Sequence, residues 1–368
     1  MKKAVILFNL GGPDKLESIE PFLFNLFNDP AIIGIPSIFR YPLAKFISKR
    51  RVSIARNIYE KIGNKSPILE LTNNQARNLE NNLLKKGDYK CFVVMRCWHP
   101  RAFDVIKKVK EYNPEEIILL PLYPQFSAST SGSSINEWND LCKKENYKVK
   151  TRTICCYPTE SNFIASHVSL IKKTTENIEN NNFKLIFSAH GLPESKIKKG
   201  DPYQWQIGEA VKEIISKLNN KNINHVISYQ SRLGPMKWIG PSTDEEIIKY
   251  SKEKKGIVIV PVAFVSEHSE TLVELDIEYK KLAEENGCSF YKRVPTLGVE
   301  ANFIKGLEEL VLKQQAGNNF VSSTTCPNRD EALAILEKLN GKKHQLISSV
   351  CISKNGAMIW NYTDASAL

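Results

Sequence analysis

The chain has 368 residues, 42% of them apolar and 25% charged, ordinary values for a soluble globular protein long enough for two domains. Its net charge of +11 suits an anionic ligand, an anionic membrane surface or nucleic acid, and does not choose among them. Eight cysteines with no C-x-x-C pair exclude a disulfide scaffold, a zinc ribbon and a thioredoxin motif, and a reducing cytoplasm is the simplest setting.

The first apolar run, residues 4–8, is too short for a signal peptide and reads as a strand. No apolar stretch approaches the roughly 18 residues that span a bilayer. Asn9-Leu10-Gly11-Gly12-Pro13 ends that strand. It is not a G-x-G-x-x-G fingerprint, and no P-loop occurs, so nucleotide binding is not indicated. The glycines suit a tight backbone turn beside a ligand.

Residues 21–27 and 30–39 are apolar, and the second stretch is broken by Pro30, Gly34 and Pro36. It reads as a poor helix and a poor strand: either a buried loop, or an apolar lip for a flat greasy ligand or a membrane. Lys49-Arg50-Arg51 follow. A basic cluster beside apolar groups suits an amphiphile with carboxylate tails, which arginine grips bidentately.

A strand at 91–95 places Arg96 and His99 just past its end. A strand at 116–120 leads into Tyr123 and the hydroxyl-rich stretch Ser127 to Ser134, which either caps the next helix or binds an anion at its start. Further strands are expected at 150–155, 183–187, 225–229, 257–262 and 288–291. Alternation of strand and helix implies parallel sheets with right-handed crossovers. Eight strands divide best into two α/β halves of four, doubly wound, meeting near residue 157 with a cleft between them. A helix near 303–312 packs back on the first half.

Two strand ends hold the chemistry. After 183–187 comes Ser188-Ala189-His190-Gly191-Leu192-Pro193, which puts His190 at a carboxyl edge, where open α/β sheets bind ligands. After 257–262 comes Ser266-Glu267-His268-Ser269-Glu270, then Glu274 and Asp276. Glu267, Glu270 and Glu274 are spaced three and four apart, so a helix would line them on one face. A strand-end cap and a solvated helix face account for either stretch alone. Together they suit a site for a proton and a metal, an alternative to those two readings that spacing does not decide. Trp238, in the Gly- and Pro-rich stretch 228–241, either packs or walls an aromatic ligand.

Six stretches, 9–13, 123–134, 188–193, 200–203, 230–241 and 266–279, in this order, resemble the ferrochelatase family, from about residue 3 to about residue 312. The resemblance implies two Rossmann-like domains, residues 1–157 and 158–299, around a porphyrin cleft. It implies insertion of Fe²⁺ into protoporphyrin IX, with no nucleotide or organic cofactor. Coproporphyrin III is the nearest alternative substrate, and a non-catalytic porphyrin or haem carrier the next. By the same resemblance His190 and Glu270 are the catalytic and metal-contacting residues. Glu267, Glu274 and Asp276 are acidic relay positions. Leu10, Arg50, Arg51, Arg96, Tyr123, Ser129 and Trp238 face the porphyrin.

The chemistry asks for such residues: metallation removes two pyrrole protons, and a neutral imidazole is a competent base near pH 7. Cys97 and Ala128 depart from patterns seen in some family members. The tail holds only Cys326 and Cys351, so no [2Fe-2S] cluster is expected. Peripheral contact with the inner membrane is expected from the lip and the basic cluster, and no nucleic-acid partner is. The extension after residue 315, from about 328, resembles a fragment of Maf-type nucleotide pyrophosphatases without that family's catalytic start.

Overall fold

A computed structural model of the chain describes residues 1–178, 182–219, 223–232, 234 and 236–313, together with the short strands Phe320–Val321, Ile352–Lys354 and Ala357–Ile359. The first sheet contains β1 (Lys3–Asn9), β2 (Tyr89–Met95), β3 (Glu116–Pro121) and β4 (Lys150–Ile154), all parallel, in the order β2-β1-β3-β4. The second contains β5 (Phe183–His190), β6 (His225–Gln230), β7 (Gly256–Pro261) and β8 (Tyr291–Arg293), again parallel, in the order β6-β5-β7-β8. The expected two-lobed α/β fold is therefore present, and both sheets are wound the same way.

Two expectations change. The first sheet gains a fifth strand, β9 (Phe320–Val321), parallel to β4, so the segment after 315 contributes to the first lobe. The last strand of the second sheet is β8, three residues later than the apolar run at 288–291. Cys288 N–H is drawn back to the Ala283 carbonyl, closing the preceding helix, before pairing begins. The expected helix and strand of residues 331–352 lie almost wholly outside the described residues. Ile352 opens β10 (Ile352–Lys354), which pairs antiparallel with β11 (Ala357–Ile359).

Both faces of each sheet are covered, which is why the strands are almost uniformly apolar. In β1, Val5 and Leu7 point to one side and Ala4, Ile6 and Phe8 to the other. The outer face meets α4 (Ala102–Tyr112) and α5 (Ser133–Lys144), with Trp138 fully buried. The inner face meets α3 (Ile68–Leu84), α6 (Ser161–Thr175), α8 (Tyr203–Leu218) and α11 (Ala301–Lys313), whose apolar residues join the inner face of the second sheet in one continuous core. Helix α11 packs on both α3 and α6.

In each sheet the chain reverses direction of winding between its first and third strands, β1 and β3 or β5 and β7. The crevice at their carboxyl ends is the place where such sheets hold ligands.

Candidate active site

His190 is the last residue of β5, and Pro261 is the last of β7, so the imidazole and the segment after β7 flank the reversal point of the second sheet. Gly191 lets the chain turn there. A Cβ on it would lie 3.0 Å from the Gln230 carbonyl oxygen and 3.2 Å from the Trp238 ring. Trp238 is half-buried, and its backbone pairs with Pro193, bringing the 236–239 segment against the His190 turn. Gly11 has the matching role in the first lobe. It has φ +87°, and a Cβ there would lie 3.1 Å from Met95 and from the Trp98 backbone.

Beyond β7 the chain forms a π-helical segment, Glu270–Glu278, continued by α10 (Tyr279–Glu285). Wide turns of this kind concentrate at functional sites. Glu270 Oε2 lies 2.9 Å from His190 Nδ1. His268 has its Nδ1 3.0 Å from the Ser266 carbonyl oxygen, so Nδ1 carries the proton and Nε2 faces Glu270 Oε2 at 3.9 Å. Glu274 is gripped by four donors: Ser231 N–H at 3.0 Å, Ser231 Oγ at 2.5 Å, Gln230 Nε2 at 3.0 Å and Tyr279 OH at 3.0 Å. Ser231 adopts φ +60° to present both of its donors, a conformation that costs a non-glycine residue about 1 kcal/mol.

The charges of this cluster tune one another. Burial lowers the basicity of His190, but the charge and hydrogen bond of Glu270 and the charge of Glu274 outweigh it, and its pKa lies above the ordinary imidazole value. Burial raises the carboxyl pKa of Glu270, yet His190 and His268 hold it well below the carboxylate range. Burial and the neighbouring Glu270 charge raise the pKa of Glu274. The site thus pairs a strengthened base with a committed carboxylate and a second carboxylate closer to protonation.

The structure does not bring all the expected acids together. Glu267 precedes the π-helical segment and turns away, accepting from Arg293 Nη1 at 2.8 Å and Thr296 N–H at 3.0 Å. Asp276 takes a bidentate pair from the same guanidinium, at 2.6 and 2.7 Å. Because the turns are wide and Glu267 lies outside them, the row expected from three- and four-residue spacing reduces to Glu270 and Glu274. Arg293 pins the other two. Arg96 also departs from expectation. Only 11% exposed, it is taken up by Asp29 at 3.0 Å, Glu137 at 3.1 Å and Ser133 Oγ at 2.7 Å, inside the first lobe.

Leu10 is half-buried beside α1 (Ile19–Phe27) and α2 (Ser37–Glu60). Tyr123 packs against the outer core of the first sheet, and burial pushes its phenol well up. Ser127 Oγ caps the turn after β3 by accepting from Ser129 N–H at 3.1 Å, which favours the capping reading of that hydroxyl run. Ser129 itself donates to the Ala31 carbonyl at 3.3 Å. Arg50 and Arg51 lie on α2. The helix starts at Ser37, so Ile38 and Phe39 are helical where a loop was expected, and they are 74% and 65% exposed. Arg50 sits 5.4 Å above the exposed Phe46 ring, and among the described residues neither arginine is paired with a carboxylate.

Several residues of the site gave no clear signal in the sequence. Buried Gln75, from α3, donates to the Val265 carbonyl at 2.8 Å and the Gly298 carbonyl at 2.9 Å and accepts from Ser266 Oγ at 3.0 Å. It thereby ties the first lobe to the turn that carries Glu267 to Glu270. Tyr59, at the end of α2, reaches Ser269, and burial pushes its phenol up to about 12. His268 stood in the acidic motif without an assigned part. Its place one residue from Ser269 and two from Glu270 was the available hint.

Comparison with known proteins bears on this arrangement. The ferrochelatase family model matches residues 2–315. A ferrochelatase of Pelagibacter ubique is 61% identical over 89% of this chain and 97% of its own length. A ferrochelatase of Rickettsia felis is 50% identical over the same shares of the two chains. Among solved structures, SirB from Bacillus subtilis with Fe³⁺ superposes with a TM-score of 0.51 at 10% identity, covering 86% of this chain and 97% of that one. That likeness shows the fold.

Proposed function

The chain belongs to the ferrochelatase family and is an enzyme that inserts Fe²⁺ into protoporphyrin IX, the terminal step of haem synthesis, and from that premise we propose that His190, oriented by Glu270, is its base. The single observation that carries the assignment is the 2.9 Å contact between His190 Nδ1 and Glu270 Oε2 at the reversal point of the second sheet. In the neutral ring the carboxylate accepts from Nδ1–H, which leaves the Nε2 lone pair free to take a proton.

Metallation replaces two pyrrole N–H bonds with bonds to iron and releases two protons. His190, 40% exposed, takes the pyrrole protons one at a time and passes each to solvent, and Glu270 stabilises the imidazolium formed each time. The carboxylates of Glu270 and Glu274 attract the incoming Fe²⁺ by charge, and the His190 imidazole is a ligand type that suits iron. Glu274 acts from a fixed position, since four donors hold it. Glu267 and Asp276 act through Arg293, stiffening the segment that carries Glu270.

Opposite this wall, α2 forms the apolar lip of the cleft. Arg50 and Arg51 receive the propionates, and Ile38, Phe39 and Phe46 cover the ring or rest on a lipid surface. Among the described residues no helix is long and apolar enough to cross a membrane, so the contact proposed is peripheral. Residues 1–157, completed by α11 and β9, and residues 158–299 form the two lobes. The enzyme works in the cytoplasm, in contact with the inner membrane, and carries no [2Fe-2S] cluster, a point that iron and sulfide analysis of anaerobically purified protein decides.

The test of the whole reading is anaerobic metallation followed by absorbance, with protoporphyrin IX and coproporphyrin III in competition. Many turnovers with a preference for protoporphyrin are expected. A single equivalent of haem per chain would mean a carrier, and a preference for coproporphyrin would move the substrate assignment. Sedimentation with anionic and with zwitterionic vesicles tests the lip, with stronger binding to the anionic set expected.

A further inference from the structure

The loop from Asn28 to Pro36, which roots the lip helix α2, is held from two directions. From the first lobe, Asp29 is fixed by Arg96 at 3.0 Å and by Ser133 Oγ at 2.5 Å, and its Oδ1 accepts from Ala31 N–H at 2.8 Å. Arg40 folds the loop on itself by donating to the Asn28 carbonyl at 3.0 Å and the Ile35 carbonyl at 2.6 Å. From the second lobe comes Lys196, on the short helix α7 (Glu194–Lys198), six residues past His190. Its ammonium donates to the Ala31 carbonyl and to Ser129 Oγ, the latter at 2.5 Å.

This contact differs in kind from the others between the lobes. Gln75, Gln206 and Asp201 join mostly buried segments, and Tyr59 and Lys61, at the far end of α2, reach Ser269 and Glu278. Asp201 accepts from Ser127 Oγ at 2.8 Å and Ala128 N–H at 2.9 Å, and Gln206 accepts from Phe126 N–H at 2.7 Å. Lys196 instead reaches past them to a loop whose next residues, Gly34 to Pro36, are exposed and lead directly into the exposed turn of α2. An ammonium with three donors and no acceptor, half-buried beside Asp29 and Asp201, adds two charge-assisted bonds to a carbonyl and a hydroxyl that already bond one another at 3.3 Å.

We propose that Lys196 is a positioning residue, an inter-lobe latch that holds the root of the lip against the His190 side of the cleft and so governs porphyrin retention and haem release. The proposal rests on the reading of α2 as the lip. The turn that bears Lys196 begins at the catalytic strand end, so the latch links that strand end to the loop before α2. Opening it loosens the root of the lip, still tethered by Arg96 and Arg40, without disturbing His190 or Glu270, whose partners lie elsewhere.

The experiment compares Lys196→Met and Lys196→Arg with the parent enzyme, beside a lip variant, Ile38→Ser with Phe39→Ser. Fluorescence titration gives the protoporphyrin Kd, stopped-flow transfer to apomyoglobin gives the haem release rate, and single-turnover absorbance gives the metallation rate. For Lys196→Met the porphyrin Kd and the haem release rate each rise about tenfold, the loss expected for a charge-assisted hydrogen bond, with single-turnover metallation and Tm unchanged. Lys196→Arg restores both within about threefold, since a guanidinium keeps the charge and the donors.

Unchanged Kd and release in Lys196→Met, with the lip variant impaired, overturns the latch and leaves the lip standing. A lip variant with normal porphyrin binding overturns the lip reading, and with it the route by which Lys196 is argued to act. A parallel fall in Tm, metallation and binding that Lys196→Arg does not rescue assigns Lys196 to general stability and also overturns the proposal.

Discussion

The two walls of the cleft differ in how they are held. On the second-lobe wall, Glu270, Glu274, Glu267 and Asp276 each engage a side chain within about 3 Å, and His190 is committed to Glu270. On the first-lobe wall, α2 exposes Ile38, Phe39, Tyr41 and Phe46, with Arg50 and Arg51 free of carboxylate partners among the described residues. Proton transfer needs fixed distances, so the reacting groups sit where hydrogen bonds over-determine them. Capture of a large flat ligand needs a wall that can yield, and its contacts are apolar area and long cationic side chains.

The contrast predicts that damage to the first of these walls falls on turnover and damage to the other on affinity. The largest effect is expected for His190→Ala, a loss of about 10³-fold or more in kcat with porphyrin still bound, measured by anaerobic metallation beside fluorescence titration. Glu270→Gln should cost about 10²-fold in kcat and also move the pH profile. The parent rate falls as pH drops through the raised His190 pKa, because the base becomes protonated. Removing the Glu270 charge leaves burial to lower that pKa, so the acid limb of the variant should lie at lower pH. An acid limb that stays in place would assign it to a group other than His190.

Arg293→Met sharpens the comparison by stripping two carboxylates of their partner without touching His190. A loss of about 2 kcal/mol in urea unfolding is expected, since two half-buried acids lose their counter-charge, with a smaller fall in kcat. Arg50→Ala and Arg51→Ala should each raise the KM for porphyrin about fivefold at unchanged kcat, the modest worth of an exposed ion pair. A drop in kcat instead would erase the division of labour between the walls.

Much of this was legible locally. The apolar strands, the Gly-Leu-Pro stop after His190, the acidic motif after β7 and the basic cluster after the lip are all contiguous stretches, and short-range patterning determines where a strand ends and which residue stands at its tip. The Glu267, Glu270 and Glu274 spacing misled because it assumes an ordinary α-helix, and the chain forms wider turns beginning at Glu270. The helical state of Ile38 and Phe39 was hidden by Pro36, which stands at the cap of α2, where proline is tolerated.

By itself, then, the sequence determined two α/β lobes, the strand-end histidine and the family. Only the tertiary structure decided which acid faces that histidine, that Arg293 removes two others, and that Gln75 and Lys196 reach across the lobes to partners 190 and 165 residues away. The reason is physical: strand and turn propensities are set by neighbours in the chain, whereas the partner of a buried charge or amide is set by which surfaces the packed sheets bring within about 3 Å.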